Sequence, residues 1–170
     1  QCLDKALAHS SIYMSTKNKK IEEIKNEFRS AQNSISKYDA GIRLYEAYHA
    51  FMNDSAISYL NKCIQIADDL HRNDLKQKAY VMIAHQFAVS GFYTEAQFYY
   101  QQIQKDEIKG SLLVDYYFGL SQLYGDMAFY AKDEKMKQIY FKKSDEYRLE
   151  LYKVLDPHST LYLRQKSVQL

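Results

Sequence analysis

Apolar positions recur along the chain at helical spacing, in runs separated by short polar breaks, and this pattern predicts helices from end to end. Leu3, Ala6, Tyr13, Ile21, Ile24 and Phe28 form a thin stripe in an otherwise charged segment ending near Ser30. Such a helix is expected to lie across the outside of a domain or to pair with one other helix. A polar break spans Ser30 to Lys37. Helices are then predicted over Tyr38–Ala50, Ser55–His71, Leu75–Ser90, Thr94–Ile108 and Leu112–Ala131, with a last long one that Pro157 stops after Asp156. Gly91 and Gly110 mark chain breaks, and Thr94 offers its hydroxyl as an N-cap.

Composition narrows the class. Of the 170 residues, 46% are hydrophobic and 15% aromatic, too many for a disordered chain. One proline and five glycines are too few for a turn-dense sandwich or barrel, so the fold expected is all-α. A net charge of +2 gives no reason to expect direct nucleic-acid binding. The longest uncharged stretch, Ala79 to Thr94, is shorter than the ~20 residues of a membrane span. Cys2 and Cys63 make neither a metal spacing nor a disulfide framework, and Cys63 reads as a buried free thiol.

The predicted helices come in pairs joined by short turns, which is the grammar of a helical repeat. In the middle unit Tyr80, Ile83, Ala84 and Phe87 line the first helix, while Ala96, Tyr100 and Ile103 line the second. This resembles the tetratricopeptide (TPR) repeat, in which a small residue stands where paired helices cross closely and aromatics fill the wider gaps. Tyr117, Leu120, Ser121 and Tyr124 match in the next unit; Leu44, Tyr48, Ala56, Leu60 and Cys63 match in the preceding one, where Tyr45 occupies a position that should be small. The aromatics Tyr48, Phe87 and Tyr124 are 39 and 37 residues apart, against a usual ~34, which reads as divergent units with longer second helices. The resemblance implies a TPR-like α-α superhelix, a solenoid of helical hairpins, with an additional N-terminal helix. Its parts would be residues 1–37 as helix and connector, 38–157 as about three helix pairs, and 158–170 as the start of a further helix.

No chemistry-bearing pattern accompanies the repeat. The five histidines include no i, i+4 pair and no HExxH, and no phosphate loop or GxSxG is present, so neither metal nor cofactor nor catalysis is expected. By analogy with TPR proteins, the first helix of each unit faces a concave groove. Its outward positions would include Lys78, Val81, His85 and Val89 in the middle unit, and Asp115, Phe118 and Gln122 in the next. Few charges and many aromatic rings suit recognition of a peptide, a protein or a small envelope ligand. The lysine and asparagine clamp with which one TPR subfamily reads chaperone C-termini is missing: Ile42, Glu46, Met82, Asp115 and Gly119 stand at those positions.

The segments "LDKALAHSSIYMSTKNKKIEEIKNEF", "LYEAYHAFMNDSAISYLNKCIQIA" and "LYGDMAFYAKDEKMKQIY" also look like the extracytoplasmic repeat region of bacterial envelope regulators. There an exported helical sensor precedes a membrane helix and a DNA-binding domain. The resemblance implies a periplasmic or otherwise extracytoplasmic sensor fragment without catalytic activity, and a chain beginning at Gln1 fits one whose leader was removed. A cytoplasmic TPR scaffold for protein assembly is the alternative. Leu161, Tyr162, Leu163 and Val168 read as the opening of another helix, which predicts a natural chain that continues and a fragment prone to self-association.

Overall fold

The computed structural model describes the backbone of residues 2–167 and the side chains of residues 14–163. The described residues form α-helices and one short 3₁₀ turn, without strands, in two compact units, residues 1–72 and 73–170.

The first unit contains α1 (Cys2–Ser30), α2 (Ser34–Tyr48) and α3 (Asn53–Asp69). Here α2 starts inside the expected polar break, because the Asn33 side chain caps it by accepting a 2.8 Å hydrogen bond from the Ser36 N–H. The first turn carries no buried apolar residue, since Ile35 is exposed, so periodicity alone misses it. On α3 the small and apolar residues Ala56, Leu60, Cys63 and Ala67 recur at one face and are fully buried. Gly41 brings the three helices together: a Cβ there would fall 2.5 Å from Cys63 Sγ on α3 and 3.2 Å from the Phe28 ring on α1. The thin stripe of α1 thus pairs with α2 through Ile21 and Ile24, both buried, and through Phe28, whose ring meets Tyr59 edge-on at 5.6 Å. Cys63 is a buried free thiol. Cys2 lies outside the residues whose side chains are described.

The second unit contains α4 (Asn73–Val89), α5 (Tyr93–Gln101), α6 (Ser111–Tyr130), α7 (Glu134–Val154) and α8 (Thr160–Ser167). Gly91 ends α4 at φ +81, a value that suits glycine, and the Phe92 N–H reaches back to the Phe87 carbonyl at 2.9 Å. The rings of Phe87 and Phe92 meet edge-on at 6.2 Å, so a hydrophobic contact seals this helix end. Ala84, Ala88 and Ala96 are buried where α4 and α5 pack, as the small residues of the repeat pattern require. Leu120, Leu123 and Tyr124 of α6 join the same core. A second cluster of Tyr117, Leu151 and Leu155 links α6 to α7, and Leu161 and Tyr162 of α8 pack against it.

Two expectations fail in the middle hairpin. The N-cap of α5 is Phe92, with no side-chain hydrogen bond, rather than Thr94. More consequentially, α5 stops at Gln101 instead of reaching Ile108. The chain instead turns through a 3₁₀ segment at Lys105–Glu107, which folds Ile103 and Ile108 into the core. Buried Gln77 of α4 holds this turn by accepting a 2.8 Å hydrogen bond from the Gln104 N–H, and the Asn73 amide donates to the Glu107 carboxylate. The long spacing between repeat aromatics here comes from this connection, not from a longer helix.

Candidate functional site

The expected groove lies within the second unit, along the faces of α4 and α6, which pack directly on each other. Lys78, Val89, Asp115 and Gln122 are exposed, and Val89 keeps 60% of its surface open. His85 is half-buried, and it leans toward α6: a Cβ on Gly119 would lie 3.6 Å from its Nδ1. The same Cβ would fall 1.9 Å from the Tyr100 hydroxyl. A mid-helix glycine is therefore what lets the α5 tyrosine reach α6 beside the histidine.

Two of the seven expected groove residues point elsewhere. Val81 is 2% exposed and belongs to the core with Ala84 and Leu120, because α4 is covered on more than one side and its apolar residues surround the helix. Phe118 is half-buried and packs against the Tyr117, Leu151 and Leu155 cluster, so its ring supports the last hairpin. The structure thus brings together His85, Asp115 and the Tyr100–Gly119 contact, with Val89 and Gln122 further along.

Loss of surrounding water raises the Asp115 pKa although one side of the residue faces solvent, and the charge of neighbouring His85 opposes that rise. Asp126, one helical turn beyond Gln122, is half-buried and its pKa is also raised, by burial alone. Beside it the rings of Tyr93 and Tyr130 stack at 6.4 Å. Sequence patterning misses Tyr93 and Tyr130, because two tyrosines 37 positions apart announce no contact.

In the first unit a separate cavity of ≈ 770 Å³ opens between α1 and α2. Its floor is Ile21, Ile24 and Ala47, and charges of both signs surround it, among them Lys20, Glu23 and Glu46. Among the described residues no group of three or more His, Cys, Asp or Glu side chains is placed to hold a metal ion, and no helix is long and apolar enough to cross a membrane. The first-unit cavity and the α4–α6 face each carry apolar and charged side chains.

A family model described as the SusR N-terminal TPR domain matches residues 7–170. The chain belongs to that family. Neither a curated protein nor a solved structure matches it. For the SusR-type TPR domain, the helix pairs and the small residues at their crossings are thus the family's repeat rather than an unrelated stack of hairpins. TPR domains are in general protein-interaction modules.

Proposed function

We propose that this TPR domain is the extracytoplasmic sensor region of a bacterial transcription regulator, and that it captures a peptide or protein segment along the α4–α6 groove. The observation that carries the reading is the match to a SusR N-terminal TPR domain over residues 7–170. It is supported by the likeness of three quoted segments to envelope regulators. The α4–α6 face adds a site of suitable chemistry, since exposed Val89, Gln122 and Lys78 flank half-buried His85. Binding there would report occupancy through α6, which packs on both α4 and α7. A rigid helix contacting both neighbours moves only with them.

Topology reporters fused after Leu170 in the intact natural protein test the location. Alkaline phosphatase is expected to be active and green fluorescent protein dark. The opposite pattern overturns the sensor reading and leaves a cytoplasmic TPR scaffold. Gln122→Ala should then weaken partner-dependent transcription while leaving the melting temperature unchanged, because the residue is exposed.

A further inference from the structure

One end of the α4–α6 groove carries a combination of groups that its middle lacks. Asp115, Gln122 and Asp126 fall at i, i+7 and i+11 on α6, so they lie along one stripe of that helix. At the last of these positions the carboxylate is half-buried, and burial raises its pKa. Tyr130 follows Asp126 by four positions on α6, so the two share a face of that helix, and the ring contact of Tyr130 with Tyr93 brings the start of α5 to the same corner. The two tyrosine rings stack at 6.4 Å with 29° between their planes, and Phe129 meets Tyr130 edge-on at 5.1 Å. Tyr130 is 68% exposed and Phe129 76%, so this aromatic corner is open to a partner.

The chemistry of the corner selects its occupant. An anionic or purely apolar group would leave the half-buried carboxylate with neither water nor a counter-charge, which is costly. A cation on an aliphatic stem satisfies every part at once: its charge meets the carboxylate, its face or head lies on the tyrosine rings, and its methylenes cover Phe129. We infer that the Asp126–Tyr93–Tyr130 corner is the anchor pocket for a lysine or arginine side chain of the segment bound in the α4–α6 groove, so that the partner is a basic peptide segment. This inference rests on the groove being a peptide-binding face.

A random dodecapeptide library displayed on phage and selected on the immobilised 170-residue chain tests it. The peptides enriched are expected to share a lysine or arginine. Replacing that residue with norleucine or citrulline should weaken binding about 10-fold. Asp126→Asn and Tyr130→Ala should each cost a similar factor, and the norleucine peptide should lose little more on Asp126→Asn. Tyr130→Ala removes a mostly exposed ring, so it keeps the test valid should Asp126→Asn disturb folding, which thermal melts would reveal. Peptides that weaken on Gln122→Ala but are indifferent to Asp126→Asn and Tyr130→Ala overturn the basic anchor and leave the groove in place. Peptides indifferent to all three variants, or no enrichment at all, overturn the groove as well.

Discussion

The second helices of the last two hairpins, α5 and α7, meet the same packing requirement at nine and 21 residues respectively. Both lie against α6. In α5 the buried positions are Ala96 and Tyr100, and the chain leaves the helix one residue later to insert Ile103 and Ile108 through a turn. In α7 only Ser144 and Leu151 are buried, and the helix runs on with a largely charged surface. A repeat unit can therefore bury its core either by a long helix with a narrow stripe or by a short helix with a folded-in connection. The repeat pattern of aromatics and small residues constrains the crossing, and leaves the helix length to other contacts.

If α7 depends on a narrow stripe, its single fully buried leucine should matter most. Leu151 is completely inaccessible and sits between Tyr117 of α6 and Leu155. Leu151→Ala is expected to cost about 2 to 5 kcal/mol, from lost transfer free energy and the cavity left behind. Urea denaturation measures it. A loss below about 1 kcal/mol would show that the tyrosines around α7, not Leu151, carry that interface.

The short helix should fail through its connection. Gln77 is 2% exposed, and its carbonyl oxygen accepts from the Gln104 N–H at 2.8 Å. Gln77→Leu keeps the volume but removes the acceptor, and should cost about 1 to 2 kcal/mol. The specific signature is faster hydrogen exchange at the Gln104 amide with little change in α6. Unaltered exchange there would mean that the turn is held by the insertion of Ile103 and Ile108 alone.

These contrasts explain which features the sequence makes legible. The end of α4 is readable because Gly91 supplies the positive φ and Phe92 the sealing ring, both local to the turn. The crossing at Ala96 is readable because close helix packing demands a small side chain, wherever the rest of the chain goes. The end of α5 is not, since the turn that follows it is held by Gln77, which lies on another helix 27 residues before the Gln104 it bonds. Val81 fails as a groove residue for a related reason. Gln77, Ala79, Val81, Ile83 and Gln86 are all buried on α4, so that helix has no wide polar face from which an outward direction could be inferred. The candidate site is half-legible: the placement of His85, Asp115 and Gln122 on α4 and α6 follows from helical spacing, whereas the Tyr100–Gly119 approach and the Tyr93–Tyr130 stack arise only when α5 and α6 are brought together.

The smallest effect separates the two helices at their starts. Asp133 precedes α7 in extended backbone, φ −83 and ψ 121, and its carboxylate accepts a 2.8 Å hydrogen bond from the Met136 N–H. Its charge also lies at the positive end of a 21-residue helix. The start of α5 has no such bond, because Phe92 carries no acceptor and is fixed by its contact with Phe87 instead. Asp133→Ala should therefore destabilise the domain by about 1 kcal/mol, whereas Asp133→Ser, which keeps an oxygen for the Met136 N–H, should recover most of that loss. Placing an aspartate at Phe92 is the converse test: it would offer a capping oxygen to α5 but remove the ring that closes α4. Because the Phe87–Phe92 contact seals the turn, Phe92→Asp is expected to lower the melting temperature despite the added cap. A higher melting temperature would instead show that α5 is short for want of a capping acceptor, and that its aromatic start is dispensable.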